Sequence, residues 1–262
     1  MNSSLEILME DFEKIEIHRG DVLIVHSSLS SMGYVDGGPD TVIKALTSVL
    51  GEDGTLLFPA FTYGTVYKTL RFSIKDTPVC VGKIPETFRN MSGVVRSMHP
   101  THSVCAIGRY ASEIVKNHEL DRTPMGENSP YRRLPSYNSK ILMLGCSLNS
   151  MSYMHALEEE AELEYCLTPY TLSYTLIDSI GKEQTFEYKK HNFKRKTCYV
   201  KQHYSRCIDV LDEEKDYFKR DIHGAESYLV SAIALRDKAL AKIKTDPYYF
   251  VDLPEGYKPG AD

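Results

Sequence analysis

The chain has 262 residues, of which 42% are hydrophobic and 26% charged, proportions that exclude a fibrous or disordered protein and allow one sizeable core. The formal charge of −5 argues against nonspecific nucleic-acid binding and suits a cationic or neutral partner. No apolar run approaches the roughly 20 residues that span a bilayer. The N-terminal MNSSLEILMEDFEKIE carries acids where a secretory leader carries bases, so a cytoplasmic protein with no membrane partner is expected.

The first informative stretch is DVLIVHSSLSSMGYVDGG, residues 21 to 38. Val22 to Val25 form an unbroken apolar, mostly β-branched run, as expected of a strand covered on both faces. The run stops on His26, Ser27 and Ser28, and Pro39 and Asp40 then open a helical pattern. Ligands collect at the carboxyl ends of strands in open α/β sheets, so this turn reads either as a site or as a serine-rich helix cap.

A second apolar run, residues 54 to 64, is broken by Pro59, with Gly54 ending the preceding helix. GKIPETFRNM predicts a short helix, and residues 103 to 108 a buried strand. KILML, ending on Gly145, predicts a third strand that stops at small polar residues. Residues 174 to 204 alternate like antiparallel strands around Ile180-Gly181-Lys182, and AESYLVSAIALRDKALAKI after Gly224 predicts one helix. The expected class is mixed α/β in a single domain, 1–262, with a β-rich portion that can form a subdomain from about residue 166.

The six cysteines are scattered without a CxxC pair, so neither a zinc site nor a disulfide framework is expected. His155 is the sharpest reactive candidate. With Ser152 as N-cap it falls in the first helical turn, where the backbone dipoles favour the neutral imidazole that accepts a proton. Glu158 and Glu159, three and four residues on, share its face and can orient the ring; the alternative is a surface helix with ordinary N-terminal acids. Residues 96 to 103, RSMHPTHS, crowd donors and acceptors on a loop able to hold an anion or carbonyl, while His99 and His102 lack the further ligands a metal needs. Residues 189 to 206 hold seven Lys and Arg and no acid, interleaved with Phe193, Tyr199 and Tyr204, reading either as a phosphate-facing strand or as a protected strand edge. Asp209 and its acidic neighbours either complement an amine or sit on a solvated turn. No GxSxG, Walker A or GxGxxG sequence occurs, which weakens hydrolase, nucleotide-hydrolysis and dinucleotide readings.

In order along the chain, HSSLSSMG, EDGTLLFPAFTYG, GKIPETFRNMSGVVRSMHPTHSVCAIG, GENSPYRRL, ILMLGCSLNSMSYMHALEE and HGAESYLV resemble the aminoglycoside 3-N-acetyltransferase family, from about residue 18 to 250. The resemblance implies a three-layer α/β/α fold with a mixed sheet. It also implies transfer of an acetyl or other short acyl group from coenzyme A to an amine of an amino sugar, without a metal. His155 with Glu158 matches the family's base. His26, Ser27, Ser28, Leu29 and Ser31 match one wall of the cofactor channel, and Arg96, Ser97 and Ser103 a second. Tyr63, Asn149 and Asp209 are the substrate-side candidates. Asn149 and Met151 stand where aminoglycoside-modifying members commonly carry Asp and Asn, which removes one anionic contact. The acceptor implied is therefore an aminoglycoside or a nucleotide-linked amino sugar, and the family carries an expectation of a homodimer. The competing readings are a serine hydrolase using Ser27 or Ser147 with His155, and a noncatalytic binding module for coenzyme A or a nucleotide sugar.

Overall fold

The computed structural model describes residues 3–194 and 199–257. The strands are β1 (Val22–Ser27), β2 (Thr55–Pro59), β3 (Arg71–Ser73), β4 (Val95–Arg96), β5 (Val104–Gly108), β6 (Lys140–Leu144), β7 (Leu172–Ile177), β8 (Glu183–Tyr188), β9 (Lys201–Gln202), β10 (Tyr217–Ile222), β11 (Ala225–Ser231) and β12 (Val251–Asp252). The helices are α1 (Ser4–Lys14), α2 (Gly38–Leu50), α3 (Tyr63–Thr69), α4 (Lys83–Arg89), α5 (Ala111–Val115), α6 (Pro130–Arg133), α7 (Tyr153–Glu160) and α8 (Ala232–Thr245).

Seven strands form the central sheet in the order β10-β11-β6-β1-β2-β5-β4. Its middle, β6-β1-β2, is parallel, and both flanks are antiparallel. Successive strand residues face opposite sides, so the apolar run of β1 serves two cores at once. Val22 and Ile24 pack with α5, α7 and α8, whereas Leu23 and Val25 pack with α1, α2 and α4. Leu57 and Leu56 divide in the same way, as do Ile141 and Leu142. This alternation makes the three layers. It also puts His26, two residues after Ile24, on the α7 side.

The C-terminal segment is distributed rather than set apart. Strands β10 and β11 extend the central sheet, while β7 and β8 form a hairpin that β3 joins in parallel. Two expectations are corrected. Residues 225–231 form β11, not the start of a helix; α8 begins at Ala232, where Ser231 accepts from Ala234 N. The helix before β2 ends at Leu50 with Gly51 as its cap, so Gly54 lies in the turn beyond it. The alternation after β8 also breaks into isolated bridges, Leu167 with His191 and Lys194 with Tyr199, rather than one long strand. Residues 195–198 of the basic run, Lys196 among them, lie outside the described residues. Among the described residues no helix is long and apolar enough to cross a membrane.

Candidate active site

The three parallel strands all run out at one edge, and the segments beyond their ends line a common cleft of about 300 Å³. Strand β1 delivers His26 and Ser27, β2 delivers Pro59, Phe61 and Tyr63, and the turn after β6 delivers Cys146, Asn149, Ser152 and His155. Two links lock the turns together: Ser28 N donates to Leu144 O at 2.9 Å, and Gly145 N to Ser227 Oγ at 3.1 Å. Gly145 has φ +63°, and a Cβ there would stand 3.1 Å from both Ala225 Cβ and Ser31 Cβ. Only glycine fits that turn without strain.

His155 is the third residue of α7. Ser152 occupies the N-cap position as expected, but its side chain makes no capping hydrogen bond and faces the cleft instead. One turn along, Glu158 is fully buried. Its Oε2 lies 3.1 Å from His155 Nδ1 and accepts from Tyr204 Oη at 2.8 Å, while Oε1 accepts from Tyr165 Oη at 3.1 Å. Tyr204 Oη is also 2.8 Å from His155 Nδ1. Burial, reinforced by the Glu158 charge, pushes the Tyr204 and Tyr165 phenols up, so both stay protonated donors. Since the Tyr204 proton points at the carboxylate, the network assigns a hydrogen to Nδ1. Nε2 is then the bare nitrogen available to the cleft. Such an arrangement can take a proton from a bound nucleophile.

The ring is also held from its faces. His191 packs against it at 4.4 Å between centroids and Phe193 at 5.1 Å, and Tyr204 meets it edge-on at 5.2 Å. The sequence marks none of Tyr165, His191, Phe193 or Tyr204 as a partner of His155, from which each lies between 10 and 49 residues away; Phe193 and Tyr204 stand out there only as aromatics of the basic run. Facing the base from β1, His26 is buried and lowered to about 4, first by desolvation and then by the nearby His155. Neither its Nε2 nor Ser27 Oγ has a hydrogen-bond partner, although both atoms are buried.

Ser27 also opens onto a neighbouring hollow of about 460 Å³, bounded by Ser28, Leu29 and Ser30 on one side and Gly82, Lys83 and Ile84 on the other. Ser31 is exposed beside it and pairs with Ser28, Oγ to Oγ at 2.7 Å. Of the expected second wall, the loop from Arg96 to Ser103, His102 lines the cleft but Arg96, Ser97 and Ser103 do not. The Arg96 guanidinium donates to Ser103 Oγ (3.0 Å), Ala60 O (3.0 Å), Thr77 O (2.7 Å) and Ile74 O (3.3 Å) and lies over Phe72. Ser97 Oγ pairs with His118 Nδ1 at 2.9 Å, and Ser103 Oγ donates to Ala60 O at 2.6 Å. These three side chains turn inward because β4 and β5 pair as a hairpin whose loop, 97–103, folds back on β2.

Of the substrate-side candidates, Tyr63 and Asn149 line the cleft, although Asn149 Oδ1 is already engaged by Ser205 N at 2.9 Å. Asp209 does not: it is exposed and accepts from Tyr249 Oη at 3.2 Å. Neither serine of the hydrolase reading is hydrogen-bonded to His155: Ser27 Oγ has no hydrogen-bond partner and Ser147 Oγ accepts from Asn149 N at 3.2 Å. Among the described residues no group of three or more His, Cys, Asp or Glu is placed to hold a metal ion. Beyond α7 a larger cavity of about 720 Å³ is walled by Glu127, Glu159, Glu160, Glu162 and Glu164, with Arg132 and Lys189.

Fold and site together define a three-layer α/β protein with a carboxylate-held histidine at the carboxyl edge of its sheet. The family model described as aminoglycoside 3-N-acetyltransferase matches residues 24–244, and the chain belongs to that family. It is 32% identical over 173 residues to aminoglycoside N(3)-acetyltransferase VIII of Streptomyces fradiae, an alignment taking in 59% of this chain and 60% of that protein. The match thus spans less than two thirds of the curated relative's length. Among solved structures, the aminoglycoside acetyltransferase AAC(3)-IVa in complex with gentamicin superposes with a TM-score of 0.81 at 25% identity, covering 97% of this chain and 92% of that one. AAC-IIIb in its binary complex with CoASH superposes with a TM-score of 0.77 at 23% identity, over 93% and 97% of the two chains.

Proposed function

We propose that the chain transfers an acetyl or other short acyl group from acyl-coenzyme A to an amine of an amino sugar of the aminoglycoside kind. The observation that carries this reading is the His155–Glu158–Tyr204 cluster, whose geometry leaves Nε2 free beside the turn at His26 and Ser27. In the reaction, the acceptor nitrogen attacks the thioester carbonyl and its proton passes to His155 Nε2. Collapse of the tetrahedral intermediate breaks the C–S bond, and the departing thiolate takes that proton to leave as the free thiol. Glu158 steadies the imidazolium formed in between, and no covalent intermediate on the protein is needed.

The acyl donor fits the residues present. The hollow between Ser28 and Lys83 joins the cleft through Ser27, giving a long substrate one continuous path, with the Lys83 ammonium available to a phosphate. The two orphaned polar groups, His26 Nε2 and Ser27 Oγ, face the region where an oxyanion would form and can supply donors to it. On the acceptor side, Tyr63 offers an aromatic face to a sugar ring, and the acidic walls of the cavity beyond α7 favour the approach of a polycation.

A nucleotide-linked acceptor would need the basic run near the cleft. Of its described bases, Lys189 lines the acid-walled cavity, Lys190 lies over Tyr67 and Tyr170, Lys194 and Lys201 are exposed and Arg206 pairs with Asp252, and none of them lines the cleft. The aminoglycoside-like acceptor is therefore the better supported. The reading is tested by following free-thiol release from acetyl-coenzyme A with the purified protein, comparing gentamicin-like aminoglycosides with dTDP- and UDP-linked amino sugars. Turnover with the former and not the latter is expected; the reverse would transfer the proposal to nucleotide sugars.

A further inference from the structure

Behind the base stands a second histidine–carboxylate pair that the acyl-transfer scheme leaves without a role. His191 is nearly buried, and its Nε2 lies 2.9 Å from Glu159 Oε1. Glu159, the next residue of α7 after Glu158, turns to a different side, lining the acid-walled cavity, where Met125 N donates to it at 3.1 Å. The His191 ring in turn covers one face of His155 at 4.4 Å and is met edge-on by His102 at 4.8 Å. Two carboxylates on one helix thus reach the same imidazole, Glu158 through its Nδ1 and Glu159 through the ring packed on its face.

We propose that His191, held by Glu159, is a positioning residue for His155, fixing the plane of the base and carrying the influence of the Glu159 charge to it. This inference rests on the reading of His155 as the base. Glu159 is suited to the part, because burial pushes its carboxyl up to about 7 against the pull of its hydrogen bonds from Thr123 and Met125, while burial holds His191 well down. The pair therefore changes charge at Glu159 near neutral pH, next to an imidazole that must gain and lose a proton. An anion beside a histidine favours its protonated form, so removing it weakens the base. Other titratable or charged groups facing the pair are Glu160 on α7, Arg132 on α6, Lys189 after β8, and Asp121, Cys166 and His102 on loops. All of these stay unaltered in the two variants that test the pair.

The test uses Glu159→Gln, which keeps the side chain's shape without its charge, and His191→Phe, which keeps a ring without its N–H. In the ligand-free proteins, diethylpyrocarbonate modification of His155 is followed by peptide mass spectrometry across pH 5.5 to 8.5, so no acceptor is needed. Glu159→Gln is expected to lower the plateau of that modification rate by about threefold at alkaline pH, where the wild-type carboxylate carries its charge. In acetyl transfer both variants are expected to lose about tenfold in kcat while KM for acetyl-coenzyme A stays within twofold. A plateau unchanged in Glu159→Gln would overturn the proposal, whether or not His191→Phe folds. If no protein, wild type included, transfers acetyl, the acyl-transfer reading fails, and the modification rates alone decide this one.

Discussion

Glu158 follows His155 by one helical turn and stands 3.1 Å from its Nδ1, buried where water cannot compete. The i, i+3 spacing brings the two together, but tertiary packing makes the pair useful. Tyr204 and Tyr165, from beyond the helix, supply the remaining donors to the carboxylate, so its orientation is over-determined. A histidine held in this way presents one nitrogen in one direction.

Tyr204→Phe removes a hydroxyl from that network while keeping the ring against His155. The variant is expected to lose about tenfold in kcat, with acyl-donor KM little changed and stability reduced by about 1 kcal/mol. Steady-state kinetics beside urea unfolding would check it. Unchanged kcat would mean that Glu158 alone orients the base.

Arg96 distinguishes a scaffold from a cofactor wall. Its guanidinium ties three backbone carbonyls and Ser103 across the loop between β4 and β5. Arg96→Met orphans those acceptors and is expected to cost about 3 kcal/mol, a fall in Tm of roughly 10 °C. Coenzyme A affinity, measured by calorimetry, should stay within threefold of wild type. A selective loss of affinity at unchanged Tm would return Arg96 to the cofactor channel.

Gly145 is expected to tolerate no side chain. Its positive φ and the 3.1 Å approaches to Ala225 and Ser31 make Gly145→Ala costly by about 2 kcal/mol. The change should also weaken coenzyme A binding, because the Ser28–Ser31 turn must shift to admit the methyl group. Denaturant melts and a binding isotherm on the same preparation would show both effects or refute the packing argument.

The buried histidines set a pH dependence whose sign can be worked out. His26, His99, His102, His118 and His191 are all lowered by burial, His26 to about 4 and His118 to about 3. Below the unfolded value near 6.5, the unfolded chain binds protons that the folded one refuses, so each histidine withdraws stability as pH falls, by up to about 1.4 kcal/mol per unit. Glu159 and Asp121 act oppositely, since burial raises both and the folded state binds the proton first. Five groups against two leave a net loss of stability between pH 6.5 and 5.5. The urea midpoint should therefore drop across that interval. A flat or rising midpoint would show that these rings find partners or water.

Much of the frame is legible in the sequence because local rules govern it. The apolar run from Val22, the helix opened at Pro39 and the His155–Glu158 spacing each follow from periodicity within one element. The segment at 225–231 is decided by a competing signal. Its alternation of Ala225, Ser227 and Leu229 on the buried side belongs to a strand, and Ser231 before an apolar stretch marks the true helix start. The donors of Arg96, Ser97 and Ser103 read as available because nothing local indicates that a hairpin will turn them inward. The roles of Tyr204, Tyr165 and His191 beside His155 are hidden for the complementary reason: these residues join the site through tertiary contacts that no spacing encodes.

The account's central claim is that His155 Nε2 takes the acceptor's proton during transfer from acyl-coenzyme A. It is tested most directly by free-thiol release from acetyl-coenzyme A with an aminoglycoside acceptor, comparing wild type with His155→Ala while coenzyme A binding is followed by calorimetry. The account predicts a loss of about 10² to 10⁴ in rate with coenzyme A affinity retained. Full rate in His155→Ala would contradict it.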